Sequence, residues 1–252
     1  MPEQELVLVE KSQGIAWITM NRPEALNALT PEMINEVKEA VLDADRAADI
    51  GVTVITGTGR AWCTGLDLKA LGKINFVGGA VGTEIVDYGR SFIDAVQNST
   101  KPVIAMVNGF VFTGGLELLL STDIVIAAEE ACFGDTHCKF GIRPSWGMSQ
   151  RLPRIIGLNR AKYYTFTART MTARQAFDYG LVSAVVPLDR LRAEVEEVCQ
   201  AILKNSPQSI AACKAMYNQG WLTTLQDGLE NVEYQQSFEI EDTNQRLAKF
   251  TT

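Results

Sequence analysis

Glu117 is a lone acid in an apolar run, with Leu116 before it and Leu118, Leu119 and Leu120 after it, and it closely follows Thr113-Gly114-Gly115. A carboxyl group among apolar side chains is harder to ionise, so its pKa rises toward the range useful for proton transfer. The glycines bring a second capability. The first amides of a helix have no intrahelical acceptor and lie at the positive end of its dipole. Paired glycines let a ligand oxygen approach that backbone with no side chain in the way. A base beside such amides can move a proton and stabilise the negative charge that develops. A tightly packed buried helix would use the same residue types.

Several elements must carry these groups. Residues 102–107 read as a buried strand, Asn108-Gly109 as a turn, and residues 116–120 as a buried helix. Upstream, residues 6–10 and 15–20 read as a hairpin turning at Lys11-Ser12-Gln13-Gly14. Thr30-Pro31-Glu32 starts a helix with an apolar face at Met33, Val37, Ala40, Val41 and Ala44. Residues 52–56 and 123–127 read as strands. Residues 70–82 are rich in glycine, lose helical periodicity and read as a mobile loop ahead of a helix over 84–97. Beyond about residue 150 helices dominate: 159–167, one capped by the box Thr172-Ala173-Arg174-Gln175, 191–202, 207–220 and 225–239, with a short strand at 182–186.

Composition narrows the function classes. A chain of 252 residues can bury one large α/β core. The net charge of −7 and the lack of a basic stretch argue against nucleic acid as a partner. The five cysteines form no C-x-x-C pair, which argues against a disulfide framework or structural zinc and suggests a reducing compartment. No apolar run is long enough to span a membrane, and Met1-Pro2-Glu3-Gln4-Glu5 is neither signal-like nor Arg-rich. A cytoplasmic protein is expected. No G-x-S-x-G supports a serine hydrolase, and no G-x-G-x-x-G follows an early strand.

Four motifs in register resemble the crotonase (enoyl-CoA hydratase/isomerase) superfamily. They are Asn21-Arg22-Pro23-Glu24-Ala25-Leu26-Asn27-Ala28-Leu29, then Trp62-Cys63-Thr64-Gly65-Leu66-Asp67-Leu68-Lys69, then Asn108-Gly109 with Gly114-Gly115-Leu116-Glu117. The fourth runs from Phe133-Gly134 through Gly141, Pro144 and Gly147 to Gln150-Arg151-Leu152 and Gly157. The resemblance covers nearly the whole chain. It implies an α/β crotonase (ClpP-like) spiral fold of repeated ββα units over residues 1–195, with a C-terminal helical trimerisation region over 196–252. It implies an acyl-CoA substrate, no separate cofactor or metal, and a homotrimer or dimer of trimers.

The resemblance also assigns positions. The backbone N–H groups of Leu66 and Gly114 form the oxyanion hole. Ala25, Leu26, Ala28, Asp67, Leu68 and Lys69 lie along the CoA, and Phe76 and Trp146 along the acyl pocket. Glu117 is one catalytic position. At the second, where double-acid hydratases carry Glu, this chain has His137, its only histidine. Histidine titrates near neutral pH and can donate or accept a proton. Two departures stand out. Thr113 replaces the first of three glycines, which the oxyanion geometry should tolerate, and bulky Trp146 falls in a stretch that is often small. The reaction expected is hydration of a trans-2-enoyl-CoA to a 3-hydroxyacyl-CoA. The alternatives are a 3,2-enoyl-CoA isomerase, a C–C bond hydrolase of a β-dicarbonyl substrate, or a non-catalytic CoA-binding or scaffold protein.

Overall fold

The computed structural model describes residues 5–69 and 76–248. Strands β1 (Val7–Ser12) and β2 (Ile15–Met20) form the opening hairpin, followed by α1 (Pro31–Arg46). Three strand–strand–helix units come next: β3 (Val52–Gly57), β4 (Ala61–Cys63) and, after the hairpin β5 (Phe76–Val77) and β6 (Ala80–Val81), α2 (Thr83–Gln97); β7 (Val103–Val107), β8 (Phe110–Phe112) and α3 (Gly114–Leu119); β9 (Ile124–Ala128), β10 (Cys132–Gly134) and α4 (Met148–Ile156). Then follow α5 (Leu158–Thr167), β11 (Thr170–Thr172), α6 (Ala173–Asp178), β12 (Ala184–Val186), α7 (Leu191–Leu203), α8 (Pro207–Gly220), α9 (Leu225–Gly228) and α10 (Thr243–Leu247).

The first strand of each unit joins one sheet and the second joins another, which winds the chain into a spiral. The larger sheet runs β1-β2-β3-β7-β9-β12, parallel from β2 onward. The smaller runs β11-β10-β8-β4, with β10, β8 and β4 parallel. The larger sheet is covered on both faces, so its strands read as continuous apolar runs. Along β7, Val103, Ala105 and Val107 face α1, α2 and the smaller sheet, while Ile104 and Met106 face α7 through Leu191, Val195 and Cys199. That packing places α7 in the core. The expected division at residue 195 falls inside this helix. Among the described residues no helix is long and apolar enough to cross a membrane.

Local physics explains most boundaries. The Thr30 hydroxyl accepts from the Met33 amide and Pro31 opens α1, as expected, although Ile34 is buried where Ala40 is only partly covered. The first turn is tighter than the sequence suggested. Ser12 pairs with Ile15, so only Gln13 (φ 52°) and Gly14 (φ 81°) turn the chain, in the left-handed region that two-residue hairpins favour. The capping box on α6 forms as read, with Thr172 and Gln175 exchanging hydrogen bonds. The expected helix over 225–239 breaks instead: α9 ends at Gly228, one wide turn covers Leu229–Glu233, and only Val232 is buried. Within the stretch read as a mobile loop, residues 70–75 lie outside the described residues, and 76–81 form the β5–β6 hairpin.

Gly115 sets how closely α3 meets β4. A Cβ added there would lie 2.3 Å from the Cys63 carbonyl oxygen. Because that obstacle is backbone, Gly115→Ala is expected to destabilise the protein by about 1–3 kcal/mol through overpacking. A urea unfolding midpoint equal to that of the wild type would contradict this.

Candidate active site

Three adjacent parallel strands of the smaller sheet end on the same edge, and each releases one part of the site. β4 leads to Thr64-Gly65-Leu66, β8 to Thr113-Gly114, and β10 to Asp135-Thr136-His137. The pairing of Phe112 with Gly134, continued by the Thr113 amide donating to the Gly134 carbonyl at 3.0 Å, sets the second and third segments side by side. A cavity of about 680 Å³ lies over these ends, lined by Leu66, Gly114, Glu117, His137 and Trp146 and reaching Ala25, Leu26, Ala28, Asp67, Leu68 and Lys69. Ligand sites at the carboxyl ends of parallel strands are a general property of such sheets.

Glu117 is 2 % exposed. Its Oε1 accepts from the amides of Trp146 at 2.8 Å and Met148 at 3.1 Å. Its Oε2 faces His137 Nε2 at 3.6 Å. Burial is the largest influence on this carboxyl; it outweighs the attraction of His137 and the two amides and holds the pKa above the ordinary carboxylate range.

His137 is anchored from its other nitrogen. Nδ1 lies 2.6 Å from Asp135 Oδ1, which also accepts from the His137 amide at 3.1 Å. Asp135 Oδ2 accepts from the Thr165 hydroxyl at 2.7 Å. Burial alone would raise the Asp135 carboxyl, but these hydrogen bonds and the imidazole charge carry it below its ordinary value. An ionised carboxylate only accepts, so Nδ1 must hold a proton and Nε2 is the nitrogen turned toward Glu117. Asp135 and Thr165 were not picked out as site residues. Asp135 left a signal only in its closeness to His137 along the chain. Thr165 left none.

The two loops meet through glycine. Leu29 forms a parallel bridge with Leu66: the Leu29 amide donates to the Gly65 carbonyl at 2.7 Å, and the Asp67 amide donates to the Leu29 carbonyl at 2.9 Å. These bonds flank Leu66, so its own N–H turns away from Leu29. Gly65 has φ +91°, and a Cβ there would lie 2.8 Å from the Gly114 nitrogen. Only glycine lets the loops come this close. The Gly114 N–H begins α3 and has no acceptor within it. Thr113 holds φ 50° and ψ −114°, unusual for a β-branched residue, and its hydroxyl lies 2.5 Å from that of Thr136. Cys63 lies behind Gly115, and burial pushes its thiol up to about 12, so it stays protonated.

At the other end, Asp67 lines the cavity and its carboxylate is engaged within the protein. Oδ2 meets Arg22 at 3.0 Å and Oδ1 accepts from the Lys69 amide at 3.1 Å. Arg22 also donates to the Ala28 carbonyl at 2.5 Å, which ties the two loops together. Buried Asn27 donates to the carbonyls of Thr58 and Ala61 and accepts from the Arg22 amide. Leu26 and Asn27 both have positive φ, at 55° and 53°. Arg22 and Asn27 belong to a motif noted in the sequence, yet their bracing role depends on partners far along the chain. The Phe76 side chain lies outside the described residues, and Trp146 is buried beside Gly114.

A ββα spiral with an acid, an imidazole and two loop amides on one strand edge defines a crotonase-fold protein. The enoyl-CoA hydratase/isomerase family profile matches residues 10–248, and the chain belongs to that family. It is 37 % identical to a probable enoyl-CoA hydratase of Mycobacterium bovis, covering 98 % of this chain and 95 % of that one. It is 38 % identical to a probable peroxisomal enoyl-CoA hydratase of Arabidopsis thaliana over 86 % of this chain and 80 % of that one. The crystal structure of enoyl-CoA hydratase from Bacillus anthracis superposes with a TM-score of 0.84 at 32 % identity, covering 90 % of this chain and 87 % of that one.

The imidazole geometry is directly measurable because His137 is the only histidine. Nitrogen-15 NMR at neutral pH should show Nδ1 protonated in the wild type. In Asp135→Ala that proton loses its acceptor, and the Nδ1 resonance should shift. An unchanged ring pattern would mean that Asp135 does not hold Nδ1.

Proposed function

We propose that this protein adds water across the double bond of a trans-2-enoyl-CoA. The observation that carries the reading is Glu117 Oε2 facing His137 Nε2 at 3.6 Å in the cavity that Leu66 and Gly114 line. The thioester oxygen sits between the Leu66 and Gly114 amides, and negative charge moves onto it as the β-carbon is attacked. Loss of one such donor typically costs about 2.7–4 kcal/mol. Glu117 Oε2 takes a proton from the attacking water. His137, held at Nδ1 by Asp135, gives a proton from Nε2 to the α-carbon. The proton on Glu117 then passes across the short gap to Nε2, and the site returns to its starting state with one water added.

The CoA lies along Ala25, Leu26 and Ala28, with Leu68 and Lys69 beyond. Asp67 acts by holding its loop to Arg22. Lys69, Lys139 and Arg143 line the same cavity and supply positive charge for a polyanionic ligand in an acidic protein. Copies of the chain pack as a homotrimer or dimer of trimers. The strongly exposed Tyr217, Leu222 and Leu225 of the C-terminal region support this.

Hydration of crotonyl-CoA and isomerisation of a 3-enoyl-CoA should be followed separately. Glu117→Gln keeps an acceptor for the two amides and removes the base, so hydration should fall by about 10²–10⁴-fold. Wild-type turnover of the 3-enoyl substrate alone would identify an isomerase and overturn the hydratase reading. Crotonyl-CoA that binds without turnover would identify a binding protein.

The pH profile is a separate test. A general base works only when ionised, and burial holds Glu117 above its usual range. Activity should therefore be lost on acidification at a pH above the value of about 4.3 for an exposed glutamate. An acid limb of kcat/KM at or below that value would contradict Glu117 as the base.

A further inference from the structure

Beside Glu117 and Gly114 the cavity is bordered by the indole of Trp146. Trp146 is 4 % exposed, and its ring reaches from α3 to α2. A Cβ built on Gly114 would lie 3.0 Å from Trp146 Cζ3. On the opposite edge, a Cβ on Gly89 in the middle of α2 would fall 1.8 Å from Cε2 and 2.0 Å from Nε1. The indole thus occupies the space where any side chain at position 89 would stand. Trp146 lines the cavity, while among the described residues no member of α2 does. The ring stands between the reacting centre and that helix.

The wall is braced. The Trp146 amide donates to Glu117, and its carbonyl accepts from Arg151 Nη1 at 2.9 Å. Arg151 Nη2 in turn bonds Gln97 Oε1 at the end of α2. The indole N–H is buried without a hydrogen-bond partner among the described residues. Burying an unpaired donor is unfavourable, so hydrogen bonding does not hold the ring there; its contribution is volume.

We infer that Trp146, seated over Gly89, is the end wall of the acyl half of the cavity and restricts the ligand to short acyl chains of crotonyl length. The inference rests on the enoyl-CoA reading above. A β-carbon within reach of Glu117 leaves the rest of the acyl chain directed at the indole, which cannot retreat because the α2 backbone lies behind it. Only glycine at position 89 lets the wall sit this far back, so the notch and the ring form one device.

The test uses saturated butyryl-, octanoyl- and decanoyl-CoA, which bind without reacting, titrated calorimetrically into the full-length protein. The wild type should bind butyryl-CoA more tightly than decanoyl-CoA. Trp146→Ala should raise the octanoyl-to-butyryl affinity ratio by about tenfold or more, the scale expected when a pocket gains room for extra methylenes. Trp146→Phe should lie between them and guards against a variant that fails to fold. Gly89→Leu added to Trp146→Ala should refill the space and restore the preference for butyryl-CoA. An unchanged ratio in both Trp146 variants, or equal affinity of the wild type for all three ligands, would overturn the inference. If the ratios shift as expected while crotonyl-CoA is not hydrated, the wall stands and the hydratase reading fails.

Discussion

A buried carboxyl group must be satisfied by its surroundings or it destabilises the fold. In this protein that group is Glu117, and the way it is satisfied organises the site. One oxygen takes two backbone amides from the stretch leading into α4, and the other is left facing an imidazole. Because the amides come from Trp146 and Met148, the segment that supplies them also carries the indole that borders the cavity. Orientation of the base and shape of the cavity are coupled through a few consecutive residues.

The second constraint is the parallel smaller sheet. Neighbouring parallel strands end on the same side, so chain segments released by β4, β8 and β10 become neighbours without any direct local affinity. Glycine then decides how closely they approach. Gly65 against Gly114 and Gly115 against Cys63 are contacts that a single Cβ would open. Thr113 holds a backbone conformation that its side chain disfavours, and its hydroxyl finds Thr136 on the neighbouring segment. Strain at such positions persists only when the surrounding structure over-determines it.

The site was unevenly legible in the sequence. Glu117 stood out because an acid among leucines is chemically anomalous, and the glycines before it pointed to exposed amides. The strands of the larger sheet and the capped helices α1 and α6 were readable because apolar periodicity and N-caps act within a few residues. Strand β8 was not: three residues after Asn108-Gly109 carry too little pattern to separate a strand from a turn. The region after Leu225 was misread as one helix because local periodicity takes no account of whether a partner exists to bury it. Asp67 lines the cavity, and the tie of its carboxylate to Arg22 across 45 residues of chain left no local signal.

By itself the sequence determined which groups are available: one anomalous acid, one histidine, the glycine pairs and the apolar strands that carry them. The tertiary structure decided which of them meet. The amides that hold Glu117 lie 29 and 31 residues along the chain, and Thr165, which steadies Asp135, lies 30 residues from it. Propensity and periodicity act over one or two turns of chain. Hydrogen bonds over those separations exist only once the sheets have assembled and burial has made an unpaired polar group too costly to leave.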